Sequence, residues 1–352
     1  MHFFTKKEPV RLANSNISKE PWGKFRDKNI YLFKMKNKSG AFVELTNYGA
    51  TIVSVVVPDK HHVLGNVVLG FPELQGYIDD HCYLGSTVGR FANRISNAAF
   101  NLDQTRYQLE ANDNGNTNHS ASAGFNDKVF DYFVDDDRLI FRLLSADGSG
   151  GYPGNLVLEV CYQWTDLNEL LIGYTAETDK KTIVNITNHS YFNLSGQNGN
   201  FFNHQLTINA EKIVEATEDF IPTGAIIEAG TFEFKSTKIA DRIISKSNEP
   251  KGLNICYVLN NKNQAAVLLD PQSGRSLEIQ TTYPGLMLYT GDYLKTAHAG
   301  HLGIPYQPFD ALCLECQYYP DSPNQPGFPS TVLHPGGTYQ ESITYKFNTD
   351  LN

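Results

Sequence analysis

The chain has 352 residues, a formal net charge of -9 at pH 7, 41% hydrophobic residues and 12% aromatic residues. This composition is typical of a globular protein with a large apolar core, and it excludes intrinsic disorder. The acidic balance argues against a broad surface for nucleic acids or anionic membranes, so we expect neither as a partner.

The N-terminal segment, about residues 1–28, is polar and is predicted to be a leader ahead of the folded domain. Its first nine residues lack the apolar stretch of a signal peptide. No run in the sequence reaches the ~18 apolar residues that a membrane helix needs. We therefore expect a cytoplasmic protein that does not enter a membrane.

Short runs of alternating or β-branched residues follow along the whole chain, and each predicts a strand. Helical periodicity is almost absent, and turn residues separate the runs. The pattern predicts the all-β class: one large antiparallel β-sandwich with very little helix, in a single domain over 1–352. The predicted strands cover 41–58 with a bend at 47–49, 64–71, a hairpin at 99–109, 139–144, 156–164, 170–175, 182–186, 204–208, 264–269, 276–281, 286–289, 311–315 and 342–347.

A glycine-rich turn at 147–154 invites comparison with a phosphate-binding loop. It lacks the Gly-Lys-Ser/Thr ending of such a loop, and it leads into a predicted strand where a phosphate-binding loop leads into a helix. We therefore predict a structural turn. The loop at 270–274 is predicted to join two strands as a hairpin.

The segment 185–196 places a histidine among neutral polar residues at the end of a predicted strand. His189 can give or take a proton near neutral pH, because the unperturbed pKa of histidine is about 6.5, and a strand fixes where its ring points. The alternative is a core histidine whose hydrogen bonds are satisfied by the neighbouring asparagines and serine. Both interpretations stay open at this point.

Three further segments concentrate polar residues: 88–95 with Arg90 and Arg94, 116–125 with His119, and 312–321 with Glu315. Glu315 interrupts an apolar strand, where a carboxylate is costly unless it is paired or functional. It is therefore either a general base or one half of a structural ion pair with Arg90 or Arg94.

The last of these segments also has the CxxC spacing of redox and zinc sites, at 313–316. It has no second cysteine or histidine pair, and its flanks alternate like a strand, which would send the two cysteines to opposite faces. The five cysteines of the chain are odd in number and scattered, which does not predict a disulfide framework. We expect no metal at this motif.

The candidate residues are two histidines, a glutamate and arginines, and they show neither metal-site spacing nor a cofactor loop. This set favours chemistry that needs only proton transfer. A carbohydrate suits this inventory, because its hydroxyls match Asn, Gln, Arg and His donors and its C–H faces stack on aromatic rings. The aromatic candidates for such stacking are Phe91, Phe192, Tyr289 and Tyr318.

Across nearly its whole length the sequence resembles the aldose 1-epimerase (galactose mutarotase) family. The segments that carry the resemblance are LTNYGA at 45–50, GRFANRI at 89–95, DGSGGYPG at 147–154, NITNHSYFNLSG at 185–196, PGLMLYTG at 284–291, LECQ at 314–317 and PDSPNQP at 320–326. The resemblance implies a sandwich of the supersandwich type with an open sugar cleft, a small-molecule sugar as partner, and neither metal nor cofactor. We expect a monomer or a homodimer.

By position, the resemblance implies that His189 is the catalytic acid, Glu315 the catalytic base, and His119 a second active-site histidine. It also implies that Asn93 and Arg94 contact the sugar. Two further sugar-binding positions differ from the family pattern. They are Asn254, where members commonly have an aspartate, and Met287, where many have a glutamine; in addition 118–121 reads NHSA in place of Leu-His-Gly-Gly.

A neutral Asn254 should weaken or redirect recognition of the sugar hydroxyls, because charge-assisted hydrogen bonds are roughly twice as strong as neutral ones. The leading hypothesis is an aldose 1-epimerase of altered sugar preference, acting on glucose, galactose or maltose. The alternative is a non-catalytic carbohydrate-binding or regulatory protein with the same cleft. A third hypothesis, a glycoside hydrolase, needs a second acid beside Glu315, and Asp321 is the candidate nearby in the sequence.

Overall fold

The computed structural model describes residues 10–11, 16–196, 199–244, 249–260 and 262–349. These residues fold almost entirely into short antiparallel strands, so the predicted all-β class with very little helix is confirmed. The helices are two single turns, α1 (Leu74–Ile78) and α2 (Ala240–Ile243), and five 3-10 turns at Ser96–Ala98, Ala121–Ala123, Ser149–Gly151, Gly230–Phe232 and Ser322–Asn324. Among the described residues, no helix has the length and apolar character to span a membrane.

The strands are numbered in chain order. The first six are β1 (Val10–Arg11), β2 (Ile17–Phe25), β3 (Lys28–Lys36), β4 (Phe42–Thr46), β5 (Thr51–Pro58) and β6 (Leu64–Asn66). The next are β7 (Thr87–Val88), β8 (Arg94–Ile95), β9 (Ala99–Leu102), β10 (Thr105–Gln108), β11 (Thr117–Asn118), β12 (Asp131–Asp135), β13 (Arg138–Ser145), β14 (Leu156–Trp164), β15 (Glu169–Thr178), β16 (Thr182–Ile183), β17 (Thr187–Asn188) and β18 (Tyr191–Phe192). The last are β19 (Gln205–Ile208), β20 (Lys212–Ala216), β21 (Pro222–Glu228), β22 (Thr237–Lys238), β23 (Asn254–Val258), β24 (Ala266–Leu269), β25 (Ser276–Thr281), β26 (Gly285–Tyr289), β27 (Leu312–Gln317), β28 (Val332–Leu333) and β29 (Tyr339–Asn348).

Three larger sheets and four two-stranded pairs organise these strands. One sheet runs β1-β2-β3-β4-β5-β6, the second runs β12-β13-β14-β15-β29-β25-β24-β19-β22, and the third runs β18-β27-β26-β23-β20-β21. The pairs are β7 with β17, β8 with β11, β9 with β10 and β16 with β28. The predicted hairpins at 99–109 and around 270–274 are confirmed, since β9 pairs with β10 and β24 with β25.

The main core lies between the three larger sheets, and one buried cluster takes side chains from all of them. Phe33 comes from the first sheet, Leu158 and Tyr162 from the second, and Leu314 from the third. Along β14, fully buried and half-buried residues alternate, which is the pattern of a strand with one face on the core. Strand β27 is buried at every position, because both of its faces are covered.

The predicted strand at 64–71 is observed only as β6, Leu64–Asn66. Two further sequence predictions differ from the structure. The predicted leader of about residues 1–28 contains β2, which pairs with β3 as an integral strand of the first sheet. The predicted strand at 182–186 is only two residues long, because the chain changes partner there. The backbone N–H of Val184 donates to Thr331 O, and that of Asn185 donates to Arg90 O. The alternation of residues in the sequence does not reveal this change of partner, since the chain is buried both before and after it.

Candidate active site

A polar cavity of about 450 Å³ opens over one face of the third sheet. It brings together six of the seven residues that the sequence singled out, although they are scattered along the chain. The residues that line it are His81, Cys82, Tyr83, Asn93, Arg94, Asp113, Asn114, Asn118, His119, His189, Tyr191, Glu218, Asp219, Phe220, Asn254, Tyr289, Tyr293 and Glu315. The seventh residue, Met287, lines a neighbouring cavity instead.

The strand register explains how Glu315 reaches this cavity. Glu315 on β27 is paired with Met287 on β26, and Met287 is paired with Cys256 on β23. Residues that are paired across antiparallel strands share a face, so these three side chains point the same way. Two residues away, Cys313, Tyr289 and Asn254 form a second row on that face. The site is therefore built on the centre of a sheet, which holds its side chains rigidly.

His189 arrives from the connection between β17 and β18. Tyr191 on β18 is paired with Cys313 on β27, so the residues just before it lie beside the face of β27 that carries Glu315. The backbone N–H of His189 donates to Ser86 O, and its carbonyl accepts from Gly85 N–H, which anchors the histidine on both sides. The peptide is thus fixed although it belongs to no strand.

Glu315 and His189 form a close, buried pair. The distance from Glu315 Oε1 to His189 Nε2 is 3.7 Å, and the two residues are 3% and 4% exposed. Burial raises the pKa of Glu315 to about 8 and lowers the pKa of His189 to about 4, because a dry site disfavours the charged form of each. Between these values the pair holds one proton. Glu315 Oε2 has no hydrogen-bond donor within the described part of the chain, so this oxygen can accept from a bound molecule.

The structural ion pair considered for Glu315 is not formed. Arg90 is 1% exposed and is used elsewhere: its guanidinium donates to the carbonyls of Ser145, Pro153 and Gly154. It thereby fastens the glycine-rich turn, which confirms the structural interpretation of that turn. Arg94 lines the cavity and pairs with Asp113, with 2.7 Å between Nε and Oδ2. Its charge lowers the pKa of Glu315, although burial has the larger, opposite effect.

His119 and Asn93 are hydrogen-bonded to each other beside His189, whose ring centroid lies 5.5 Å from that of His119. The backbone N–H of Asn93 donates to His119 Nδ1 at 3.2 Å, and the backbone N–H of His119 donates to Asn93 O. Burial lowers the pKa of His119 well below its usual value, so the ring is neutral. Because Nδ1 accepts a hydrogen bond, the ring proton sits on Nε2, which makes His119 a hydrogen-bond donor. Both residues have positive φ, of 66° and 51°, a backbone conformation that is often kept at functional sites.

In the part of the chain that the structure describes, the group that could hold a metal ion is His189, Cys313 and Glu315, whose ligand atoms all lie within 4.8 Å of one another. The donor set fits a metal poorly. Nδ1 of His189 faces Cys313 Sγ at 3.5 Å while Nε2 faces Glu315, so one ring nitrogen cannot serve both sides. Burial also raises the pKa of the Cys313 thiol well above its usual value, and a neutral thiol is a weak ligand. Cys316 points to the opposite face, into the main core.

Among the lining residues that sequence reasoning missed, Tyr83 and Asp113 contact the predicted site residues directly. The ring of Tyr83 packs against His119 and His189, with centroid distances of 4.7 and 5.8 Å. Asp113 orients Arg94. The sequence around each of these residues predicts a turn and nothing more, because the role of each depends on a tertiary contact.

Three of the four aromatic residues considered for sugar stacking lie elsewhere, and the acid considered for a glycoside hydrolase is not available. Of the aromatic residues proposed to stack on a sugar, Tyr289 lines the cavity, whereas Phe91 and Phe192 are buried in core clusters and Tyr318 lies outside the lining. Asp321, the second acid that a glycoside hydrolase would need, is fully buried. Its carboxylate accepts hydrogen bonds from Ser96, Asn324 and Gln325, so it cannot act beside Glu315.

Comparison with known proteins agrees with this geometry. The family model described as aldose 1-epimerase matches residues 31–346. Galactose mutarotase of Bos taurus is 37% identical over 311 residues, which cover 87% of this chain and 91% of the bovine one. Aldose 1-epimerase of Escherichia coli K12 is 34% identical over 329 residues, which cover 90% of this chain and 94% of the bacterial one.

Solved structures give the same result. An aldose epimerase homologue from C. elegans superposes with a TM-score of 0.85 at 29% identity, covering 90% of this chain and 98% of the other. Galactose 1-epimerase of Lactobacillus acidophilus superposes with a TM-score of 0.81 at 27% identity, covering 94% and 98%. The chain therefore belongs to the aldose 1-epimerase family, a family of isomerases.

Proposed function

We propose that this protein interconverts the α and β anomers of a free aldose by acid–base ring opening and closure, with Glu315 and His189 as the two proton-transfer residues. The observation that supports this proposal is the pair itself: a carboxylate and an imidazole 3.7 Å apart, both buried, both lining one polar cavity, and sharing one proton. We also infer that the chain is a single domain, because one core cluster spans all three larger sheets.

The spacing of the pair suits the anomeric centre of a pyranose. The ring oxygen and the anomeric hydroxyl oxygen are bonded to the same carbon, so they lie closer together than two hydrogen-bonded atoms. A base and an acid that contact these two oxygens must themselves be close neighbours, as Glu315 Oε1 and His189 Nε2 are. Proton transfer needs hydrogen-bond distances of about 2.6–3.2 Å to each oxygen, which both side chains can reach from the wall of the cavity.

The reaction requires the shared proton on His189 and a negative charge on Glu315. Without a sugar, burial favours the proton on Glu315, whose pKa is about 8, over His189, whose pKa is about 4. A bound sugar brings hydroxyl donors to Glu315, including its free Oε2, and hydrogen bonds to a carboxylate favour its charged form. The guanidinium of Arg94 acts in the same direction. Sugar binding thus moves the proton to His189 and leaves Glu315 charged, so both residues reach the protonation states that the reaction requires.

Ring opening and closure then follow from these two protonation states. Glu315 removes the proton from the anomeric hydroxyl while His189 protonates the ring oxygen, which breaks the bond between C1 and the ring oxygen and leaves an open-chain aldehyde. Rotation about the bond between C1 and C2 presents the other face of the carbonyl. His189 takes its proton back as the ring oxygen attacks, and Glu315 returns a proton to the new hydroxyl. Arg94, Asn93 and His119 hold the hydroxyls during the open-chain stage.

The sugar preference is proposed to differ from that of a galactose-specific enzyme. Asn254 is half-buried in the wall of the polar cavity and supplies a neutral amide. A neutral partner binds hydroxyls more weakly than a carboxylate does, so recognition of the hydroxyls that face it is relaxed. We therefore propose that the substrates are glucose, galactose or maltose.

Polarimetry on freshly dissolved α-D-glucose, α-D-galactose and α-maltose tests this function. We expect the optical rotation to reach equilibrium faster than in buffer alone for at least one of the three sugars. A rate equal to that of buffer for all of them would reject the proposal.

A further inference from the structure

A second cavity of about 430 Å³ adjoins the polar cavity, and the two share Phe220 and Asn254 in their walls. It lies where β20 and β23 stop pairing, since these strands are paired only at Lys212 with Val258 and at Ile213 with Tyr257. Beyond that point a bulge turns β20 away, which leaves room between the strands. We call this space the apolar cavity.

The floor of the apolar cavity is formed by the same sheet face that carries Glu315. Val214, Cys256 and Met287 are all buried and belong to one small hydrophobic cluster beside it. Met287 is the residue paired with Glu315 across the strands. The apolar cavity therefore begins one strand away from the proposed catalytic carboxylate.

The mouth of the apolar cavity combines exposed apolar and cationic side chains. Ile227 and Phe232 line it and are 39% and 38% exposed. Arg242 and Lys251 also line it. Arg242 uses Nε and Nη2 to donate to Glu233 O, which leaves Nη1 for another partner, and Lys251 is exposed. The mouth thus offers an aromatic face together with hydrogen-bond donors.

We propose that the apolar cavity binds the second pyranose ring of a reducing disaccharide whose reducing ring occupies the polar cavity, an inference that rests on the proposed function. A pyranose has apolar C–H faces and a rim of hydroxyls. Its faces would pack on Met287, Phe220 and Phe232, and its hydroxyls would accept from Arg242 and Lys251. An alkyl chain would use the apolar floor only and would leave these two cations without a role.

This arrangement gives Met287 a function that its position in the sheet supports. A polar side chain there would find few partners among Val214 and Cys256, whereas a thioether adapts to an irregular apolar surface. Asn254 stands between the two rings because it lines both cavities. The two positions that depart from the family pattern thus form one continuous specificity surface.

Calorimetry with maltose, isomaltose, 4-O-benzyl-D-glucose and D-glucose tests the apolar cavity by binding, independently of turnover. Maltose and isomaltose extend the reducing ring from O4 and O6. The variant Ile227→Trp places a larger ring at the mouth of the cavity, and Leu144→Trp is its control, an exposed aliphatic residue replaced by the same ring. Leu144 is 63% exposed on β13 and lines neither cavity.

We expect at least one disaccharide to bind the wild type more tightly than glucose. We expect Ile227→Trp to weaken that binding about tenfold while glucose binding changes less than about twofold, in line with the effect of small changes in an apolar pocket. Leu144→Trp should leave both unchanged. Equal affinity for all four sugars, or equal losses in the two variants, would overturn the proposal. Tight binding of the benzyl sugar alone would show that the cavity binds an apolar substituent and not a second pyranose, which would also overturn the proposal.

Polarimetry on the same proteins separates this inference from the proposed function. If a disaccharide binds through Ile227 but no sugar is turned over, the proposed function fails and the cavity assignment stands. If glucose is turned over but no disaccharide gains affinity, the function stands and the cavity assignment fails.

Discussion

Replacing Glu315 by glutamine is expected to abolish activity and to stabilise the protein at the same time. The amide has nearly the shape of the protonated carboxyl, so the packing around the 3%-exposed side chain is preserved. It cannot accept the proton of the anomeric hydroxyl, and loss of a general base typically costs about 10²–10⁴-fold in rate. The same substitution removes a buried carboxyl group, which the folded protein keeps protonated at pH values where the group would ionise in water.

The size of the stabilisation follows from the pKa of Glu315, which burial raises from 4.5 to about 8. Because the folded-state value is the higher one, the Glu315 carboxyl binds about one proton more in the folded protein than in the unfolded chain between these pH values. The contribution of Glu315 to stability therefore falls as pH rises through this window, by about 1.4 kcal/mol per pH unit. At pH 7 the accumulated cost is about 3 kcal/mol, and it is absent below pH 4.5.

Urea unfolding of wild type and Glu315→Gln at several pH values between 4.5 and 8 measures this difference. We expect the two free energies of unfolding to coincide at the acidic end and to diverge in favour of the variant towards pH 8. Polarimetry on the same samples measures the loss of mutarotation. A variant that is no more stable at the alkaline end would refute the burial argument, and an active variant would refute the assignment of the base.

Three further predictions concern the pair of His189 and Glu315, the buried Arg90 and the cavity residue Asn254. The kcat/KM for glucose should be bell-shaped with limbs near pH 4 and pH 8, because the pair of His189 and Glu315 needs a single proton; a flat profile between pH 5 and 10 would contradict this. Arg90→Leu should lower the free energy of unfolding by about 3–5 kcal/mol, because three buried carbonyls lose their donor, whereas Arg142→Leu, at an exposed ion pair, should change it by less than about 0.5 kcal/mol in the same urea titration. Asn254→Asp should lower the KM for galactose about tenfold in polarimetry, because a charged acceptor replaces a neutral one, and an unchanged KM would show that this side chain does not contact the sugar.

The sequence alone was sufficient for the fold class and for several local features. Period-two alternation is a local signal, so the strands and the hairpins at 99–109 and 270–274 could be predicted from it. Glu315 stood out for a related reason, since a carboxylate inside an apolar strand needs an explanation wherever that strand lies. The turn at 147–154 could likewise be interpreted as structural from the strand that follows it.

Other features depend on contacts between distant parts of the chain, which no local pattern records. The sequence left His189 open as a core residue and Glu315 open as an ion-pair partner of Arg90 or Arg94. Only the folded sheets place His189 and Glu315 3.7 Å apart and Arg90 against carbonyls of the glycine-rich turn. The segment 182–186 has a strand-like pattern along its whole length although its hydrogen bonds change partner. Both parts of the segment are buried, and burial favours the same residue types in each. Met287 could be predicted near Glu315 by resemblance, but its place in the apolar cavity is decided by where β20 and β23 separate. The alternation of residues determines on which face of a sheet a side chain lies, whereas the register and divergence of the strands determine which residues it contacts.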